Sequence, residues 1–281
     1  MDNVIATNNH VDLVVNTFER TYRNVLCPGF FNSIEESNCY KFTNRVVLIN
    51  NVDDIQDAKH RAQLLLNNGE IDAYYFVHEH LDTALSQTRL TRNDLRPFSY
   101  FLDWAIVAVT LPGSQWLVHW DAEVELKTPI NWIDTTISMM ESDRRILIAN
   151  PNWNRDGIHS EAREYKGEFA LGYGMSDQVF LVRRAELAKP IYNYFCPASL
   201  RYPLSHVMGI FEKRLDAYMR RTGRLRATYL PATYIHPDNE GQAYQDLSLT
   251  IKEQIKHLSI RILLRNLKML NLKAPCLSVN M

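Results

Sequence analysis

The feature that most constrains the fold is a regular alternation of short apolar runs with longer amphipathic segments through the first 150 residues. Such runs predict strands, and the segments between them predict helices. Near-continuous apolar runs such as 45–50 are typical of parallel strands that are buried on both faces. The predicted strands are 11–15, 45–50, 73–77, 116–120 and 145–149, and the predicted helices are 55–67, 96–110 and 130–141, with a further helix opening at 17–20. This alternation predicts an α/β fold with a mostly parallel central sheet flanked by helices.

The second half of the chain, from about residue 151, is less regular. An aromatic, glycine-rich stretch at 169–177 is followed by a strand-like run at 179–183 and a predicted helix at 205–221. A second aromatic, strand-like run covers 229–237 and contains His236. The pattern indicates that this half adds less regular elements to the same α/β domain.

Composition excludes several classes of protein. With 281 residues, 46% of them hydrophobic, the chain can bury a large core, and its formal net charge of -1 gives no reason to expect a nucleic-acid partner. The N-terminus lacks a secretory signal, and no apolar stretch approaches the ~18 residues of a membrane span. The cysteines are widely spaced without a C-x-x-C pair and are expected to be reduced thiols of a cytoplasmic protein: Cys27, Cys39, Cys196 and Cys276.

Polar residues follow three of the predicted strands. In open α/β sheets, ligands bind outside the carboxyl ends of the strands, so these residues are expected to converge on one site. After strands one, two and four they are Thr17, Glu19, Arg20, Asn51, Asp53, Asp54, Asp121 and Glu123.

The strongest chemical candidate is the tripeptide Asp121-Ala122-Glu123 at the end of strand four. In an extended chain, residues i and i+2 point to the same side, so the two carboxylates can hold one divalent cation. Hard cations such as Mg²⁺ and Mn²⁺ prefer oxygen ligands. The tripeptide therefore predicts a Mn²⁺ or Mg²⁺ site at the edge of the sheet.

These features resemble a GT-A-type nucleotide-sugar glycosyltransferase, by the order of elements over 11–237 and by an acidic signature after a central strand. The resemblance implies a Rossmann-like sandwich and a metal-dependent hexosyltransferase, as in polysaccharide biosynthesis, with a UDP-linked donor and a glycan, lipid-linked or small-molecule acceptor. Asp121-Ala122-Glu123 would be the signature, with Glu123 replacing the usual Asp, and His236 would complete the metal site. The implied donor-binding residues are Thr17, Glu19, Arg20, Asn51, Asp53, Asp103, Asp121 and Ala122.

The implied domains are 1–249 and a tail at 250–281, the first divided into a nucleotide-sugar-binding half at 11–150 and an acceptor half at 151–249. An inverting transferase also needs a base to accept the proton of the acceptor hydroxyl. The candidates are Asp177, in the glycine-rich stretch, and Glu212, on the predicted helix at 205–221.

Two alternatives stay open. His78 and His80, just after strand three, have the H-x-H spacing of a zinc-dependent hydrolase, with later ligands expected among His119, Asp121, His159, His206 and His236. A non-catalytic scaffold with an α/β fold is the other alternative. The phosphate-binding and nucleophile motifs G-x-x-x-x-G-K-[ST], G-x-G-x-x-G and G-x-S-x-G do not occur.

The tail at 250–273 carries six basic residues against one acid, with leucine and isoleucine at roughly helical spacing. A basic amphipathic helix of this kind can lie on an anionic membrane surface, and it can equally dock on its own domain with a solvated basic face. Both interpretations are compatible with a cytoplasmic protein, and the first adds peripheral contact with a membrane.

Overall fold

The computed structural model describes residues 9–153, 161–202, 209–236, 251–270 and 274–277. The strands are β1 (Val11–Thr17), β2 (Asn44–Ile49), β3 (Ala73–Phe76), β4 (Trp116–Asp121), β5 (Glu125–Leu126), β6 (Ile146–Trp153), β7 (Ala162–Lys166), β8 (Phe169–Gly172), β9 (Val179–Arg183) and β10 (Leu225–Ile235). The helices are α1 (Tyr22–Val25), α2 (Phe30–Ser37), α3 (Ile55–Asn67), α4 (Val77–Thr88), α5 (Asp103–Thr110), α6 (Ile133–Ser142), α7 (Arg184–Leu187), α8 (Phe211–Thr222) and α9 (Ile251–Met269). Short 3-10 turns cover Arg92–Leu95, Ser99–Phe101 and Pro197–Arg201.

The strands form one ten-stranded sheet in the order β3-β2-β1-β4-β9-β6-β10-β8-β7, with β5 paired to β10. The strands β3, β2, β1 and β4 are parallel. Beyond them, β9 runs antiparallel to both β4 and β6, β10 is parallel to β6, and β8 and β7 are antiparallel. The predicted α/β class with flanking helices is confirmed. The strands β3, β2, β1 and β4 meet the expectation of a parallel sheet, whereas beyond β4 the sheet is mixed, with β6 and β10 parallel and the other neighbours antiparallel.

Most predicted elements are confirmed at nearly the predicted positions, and α3 and β9 match the predicted ranges. The predicted helix at 96–110 begins only at Asp103, because 3-10 turns occupy the segment before it. Residues 17–20 do not open a helix, since β1 runs through Thr17 and α1 begins at Tyr22. Part of the predicted helix at 205–221 lies outside the described residues, and its described part is α8.

The core lies on both faces of the parallel strands. All but one residue of β1 are buried, and α5 is buried almost all round, which explains its uniformly apolar sequence. Buried indoles mark both ends of β4: Trp116 and Trp120 are each 2% exposed. Burial of this extent fixes the positions of the strand ends that carry the candidate site.

A buried ion pair lies at the amino-terminal end of β1. The Asp12 Oδ2 atom lies 2.6 Å from Arg184 Nη2, with 1% and 10% of the two side chains exposed. Arg184 also donates to the backbone carbonyls of Ala108, Leu111 and Ser114. A Cβ atom added at Gly113 would lie 2.2 Å from Asp12 Oδ2, so this close approach requires glycine. The pair therefore joins β1, the turn before β4 and α7 at one point.

The tail is helical as expected and packs on the domain. Leu264 and Leu267 of α9 are buried in a small cluster with Cys196, Ala198 and Ala217. The segment that follows is also attached, since Ala198 N donates to the Cys276 carbonyl at 3.0 Å and Arg220 Nη1 to that of Pro275 at 2.7 Å. One face of α9 is thus docked. The predicted division into a domain at 1–249 and a tail stays a prediction.

Candidate active site

The strand order of the sheet reverses between β1 and β4, which are parallel neighbours. From β1 the chain proceeds outward through β2 to β3, and it then returns to place β4 on the other side of β1. In open α/β sheets, ligands bind at such a switch point, outside the carboxyl ends of the strands. Asp121, the last residue of β4, lies opposite Asn16 of β1 at this point.

Three side chains could hold a cation there. One ligand atom from each of Asp121, Glu123 and His236 lies within 4.8 Å of the others, and all three residues are half-buried. The turn after β4 places the two carboxylates together, because Glu123 N donates to Asp121 Oδ1 at 2.9 Å. Strand β5 then pairs antiparallel with β10, with Glu125 opposite Ile235, and so brings His236 beside the turn. The sequence-distant histidine is thus positioned by a two-residue strand.

Burial gives this cluster unfavourable electrostatics in the absence of a cation. It raises the pKa of Asp121, and the carboxylate of Glu123 raises it further, while His236 and Arg20 lower it. Arg20 Nη2 donates to both oxygens of Glu123 at 3.1 Å, although 70% of the arginine side chain is exposed. His236 Nε2 lies 3.8 Å from Glu123 Oε2. The arrangement brings two carboxylates close together, and the neighbouring basic groups offset their mutual repulsion only in part.

The donor set fits a divalent cation such as Mn²⁺ or Mg²⁺, for two reasons. Two carboxylates and one imidazole are ligand types that divalent cations accept, and the cluster already brings them within reach of one ion. In addition, the buried atoms His236 Nδ1 and Asn16 Oδ1 have no hydrogen-bond partner among the described residues. Buried polar atoms are normally paired, so these two indicate a site that a ligand completes.

Beside the cluster lies a second pair of acids, Asp177 and Glu212. Because β9 runs antiparallel to β4, its start meets the end of β4, and Asp121 N donates to the Gln178 carbonyl at 2.7 Å. Glu212 lies in the first turn of α8, where the neighbouring Phe211 ring packs 5.8 Å from that of Phe180 in β9. The two carboxyl side chains hydrogen-bond to each other.

The Asp177–Glu212 pair has perturbed acidity. Burial, then the charge of Asp121, raises the pKa of Asp177 to about 6. Burial and the charge of Asp177 raise the pKa of Glu212 well above its usual range. Two adjacent buried carboxyls cannot both ionise easily, so one proton is shared between them. A carboxyl that titrates near neutral pH is suited to accept a proton from a substrate hydroxyl.

The loops after β1 and β2 converge as predicted. Glu19 Oε2 accepts from Asp53 N at 2.8 Å, and Glu19 N donates to the Asn51 carbonyl at 3.3 Å. Asn51 has a positive φ of 48°, which turns the chain sharply after β2. The exposed Asp54 caps α3 through Asp57 N at 2.9 Å. These residues form one polar rim next to the candidate cation site.

Two of the predicted donor-binding residues are buried and already bonded. Thr17 is fully buried, with its Oγ1 3.1 Å from Thr21 Oγ1. Asp103 is 3% exposed and accepts from Asn50 Nδ2 at 2.9 Å, and burial raises its pKa. Ala122 is half-buried in the turn between the two metal-site carboxylates. Thr17 and Asp103 therefore shape the loops, whereas Glu19, Arg20, Asn51 and Asp53 are accessible to a ligand. The donor-binding role of all these residues stays a prediction.

The histidine pair of the hydrolase alternative does not form a chelate. His78 and His80 lie in the first turn of α4, not in an extended chain, so residues i and i+2 point to different sides of the helix. Their rings pack against different tyrosine and phenylalanine rings, His80 on Tyr75 at 5.1 Å and His78 on Phe76 at 5.9 Å. His119 is buried with its ring 4.1 Å from that of Trp104, and His159 and His206 lie outside the described residues.

Three residues that the sequence analysis missed belong to the site. Asn16 faces Asp121 across the switch point, and Tyr234 Oη donates to Ser176 Oγ at 2.6 Å next to the acid pair. Burial and the charges of Asp177, Asp121 and Glu212 raise the pKa of Tyr234. The available signal for Asn16 was its position as a polar residue at the carboxyl end of β1, next to Thr17.

No protein-family model matches the sequence, and a search of the curated proteins finds no match to it. Solved structures are similar at low identity. They include GalNAc-T7 with UDP, GalNAc and Mn²⁺ (TM-score 0.45, 13% identity, 81% of this chain and 44% of that chain). They also include the galactosyltransferase LgtC with donor and acceptor sugar analogs (TM-score 0.35, 12% identity, 63% of this chain and 59% of that chain). A third is glucosyl-3-phosphoglycerate synthase from Mycobacterium tuberculosis with Mn²⁺, uridine diphosphate and phosphoglyceric acid (TM-score 0.44, 11% identity, 91% of this chain and 78% of that chain).

The chain spans less than two thirds of the length of GalNAc-T7 and of LgtC. At TM-scores below 0.5 and identities of 11–13%, this likeness carries no conclusion about function. Among the described residues, no helix combines the length and apolar character needed to cross a bilayer.

Proposed function

We propose that this chain is a glycosyltransferase that moves a sugar, most simply a hexose, from a nucleotide-sugar donor to an acceptor hydroxyl. The observation that carries the proposal is the cluster of Asp121, Glu123 and His236 at the switch point of an α/β sheet, with its ligand atoms within 4.8 Å of one another. A cation held at such a site can neutralise the charge of a nucleoside diphosphate, and the adjoining acid pair supplies a proton acceptor. The acceptor would be a glycan, a lipid-linked sugar or a small molecule.

Asp121, Glu123 and His236 would hold Mn²⁺ or Mg²⁺. When bound, the cation supplies Lewis-acid stabilisation of the negative charge that develops on the departing diphosphate. Arg20 is placed to contribute a second positive charge, since its guanidinium reaches Glu123 from the polar rim. The exposed residues Glu19, Asn51 and Asp53 would contact the nucleoside, for which we infer uridine as the first candidate.

The acid pair would accept the proton. As the bond between the anomeric carbon and the diphosphate oxygen breaks, the acceptor oxygen bonds to that carbon, and its proton passes to the ionised Asp177. Glu212 keeps the shared proton and hydrogen-bonds to Asp177, so it orients the base. In this assignment Asp177 is the catalytic residue and Glu212 is a positioning residue.

The testing experiment is a thermal-shift series on the full chain with UDP, GDP and ADP, each with Mn²⁺ or with EDTA. A ligand that binds the folded state raises Tm by mass action. We expect a shift with one nucleoside diphosphate that requires Mn²⁺, and its loss in Asp121→Asn. Asp82→Asn, a matched charge change on α4 with the side chain 74% exposed, should leave the shift unchanged.

The absence of a shift with every nucleoside diphosphate would contradict the donor assignment. A metal-dependent shift without release of nucleoside diphosphate from any nucleotide-sugar would indicate the non-catalytic alternative instead. If Asp121→Asn retains the full Mn²⁺-dependent shift, the cation site has been misplaced.

A further inference from the structure

Helix α9 has apolar residues on two opposite faces. Ile260, Leu264 and Leu267 form the docked face and contact the cluster around Cys196 and Ala198. A helix that only docks on its own domain needs this face and no other. The remainder of α9 should then be polar, as on ordinary surface helices.

The opposite face is apolar and exposed. Ile255, Leu258, Ile262 and Met269 are 62%, 60%, 53% and 70% exposed. At 100° per residue these four side chains fall within an arc of about 60°, centred opposite the docked face. We call this set the exposed stripe. Isolated exposed apolar residues are common, but four of them aligned on one face along more than three turns mark a surface that binds something.

The flanks of the exposed stripe are basic. Arg261, Arg265 and Lys268 border it on one side and Lys252 on the other, and all four side chains are exposed. The tail sequence contains a single acid, Glu253. An apolar strip between cationic borders is the pattern of helices that lie in the interface of an anionic bilayer, with the apolar side chains among the acyl chains.

We propose that α9 holds the protein on an anionic membrane surface by inserting the exposed stripe, while its docked face carries the rest of the domain. Charge decides between this partner and a second copy of the chain. Two facing copies of the stripe would bring their arginine and lysine borders together, and that repulsion opposes self-association. Since no described helix is long and apolar enough to span a bilayer, attachment is peripheral. This inference is independent of the proposed catalytic function.

The test is cosedimentation of the full chain with sucrose-loaded vesicles. One set contains phosphatidylcholine alone, and the other contains phosphatidylcholine with 30 mol% phosphatidylglycerol (a chosen assay composition, roughly that of an anionic membrane). We expect binding to the anionic vesicles that weakens as NaCl is raised, and little binding to the neutral ones. The variant Arg261→Gln/Arg265→Gln should bind about 30-fold more weakly, from the loss of two surface charges.

The apolar contribution is tested separately. Leu258→Gln/Ile262→Gln should lower vesicle affinity at least about tenfold and leave Tm and Mn²⁺-dependent nucleotide binding unchanged. The matched control is Ile55→Gln/Leu64→Gln on α3, which removes two apolar side chains that are 45% and 47% exposed far from the tail. The control should bind vesicles like the unmodified chain.

Equal binding to neutral and anionic vesicles, or no binding to either, would overturn the proposal. So would a dimer in analytical ultracentrifugation that Leu258→Gln/Ile262→Gln abolishes, because the exposed stripe would then be an interface between copies.

Discussion

Asp177 and Glu212 hydrogen-bond to each other through their carboxyl side chains, although one precedes a strand and the other begins a helix. The contact requires a proton between them, and burial keeps both carboxyls from ionising together. Their pairing places a titrating group beside Asp121, at the edge of the sheet where the candidate cation site lies. Removal of the Asp177 carboxylate should therefore lower activity and raise stability.

Asp177→Asn should lower turnover by about 10²–10⁴-fold, because the base is lost. The same change should stabilise the apo protein at pH 8. The folded-state pKa of Asp177 lies above its unfolded value, so the folded state binds more protons, and stability falls as pH rises from about 4 to about 6. Asparagine removes that loss, a gain of about 1–3 kcal/mol measurable by urea unfolding with EDTA present. A drop in both activity and stability would contradict the assignment.

The pH dependence of kcat/KM should report the same pair. A base acts in its ionised form, so the rate should rise with pH and level off above the pKa of Asp177, which is raised to about 6. Because Glu212 keeps the shared proton, the rising limb should contain one ionisation in the unmodified chain, and the second ionisation of the pair should lower the rate at higher pH. In Glu212→Gln only one carboxyl titrates, and the second ionisation should disappear from the profile. An unchanged two-step profile would exclude coupling between these residues.

Arg20→Gln should separate cation binding from nucleotide binding. Arg20 competes for Glu123, and the exposed ion pair contributes at most about 1 kcal/mol. Its removal should tighten Mn²⁺ binding by up to about fivefold and weaken nucleoside diphosphate binding, both measured by calorimetry. Arg92→Gln, which breaks an exposed pair with Asp82 on α4, is the matched control and should alter neither affinity.

Asp12→Asn should lower the free energy of unfolding and leave the candidate cation site unchanged. The carboxylate is buried against Arg184 at the opposite edge of the sheet, and its loss leaves a buried guanidinium uncompensated. We expect the free energy of unfolding to fall by about 3–5 kcal/mol in urea titrations. The folded fraction should still show the Mn²⁺-dependent nucleotide shift. A change below ~1 kcal/mol would mean that Arg184 finds other partners.

Thiol reactivity should divide the cysteines into two groups. Cys27 and Cys39 are exposed, whereas Cys196 is buried and its environment raises the pKa to about 12. Thiolate is the reactive form, so a disulfide reagent at pH 8 should modify Cys27 and Cys39 quickly and Cys196 only after unfolding. Mass spectrometry of the labelled peptides distinguishes them. Fast labelling of Cys196 would show that the docked end of the tail opens readily.

The parallel half of the fold could be predicted because its strands are short apolar runs and successive strands are joined by helices. Helix α4 was missed for a physical reason: Val77 continues the apolar run of β3, so nothing in the sequence marks the change from period two to a helical period. The same error placed His78 and His80 in an extended chain. The pairing of the antiparallel strands could not be predicted, because it is decided by contacts distant in sequence.

Some residues of the candidate site could likewise be predicted from the sequence, and others could not. Asp121 and Glu123 could be predicted because both belong to one local motif after one strand. The contact of Asp177 with Glu212 could not, because it depends on Phe211 packing against Phe180 in the core. His236 was predicted from the resemblance and from its place at the end of a strand-like run, and the pairing of β5 with β10 brings it beside the turn after β4.

Strand β9, from the second half of the sequence, lies between β4, from the first half, and β6, which spans the boundary at residue 150. Neither half can therefore be expressed as a stable fragment: a piece ending at residue 150 would leave the hydrogen-bonding groups of β4 open to pairing with other chains. Cutting the chain there should yield aggregates, and the two fragments should regain structure only when they refold together.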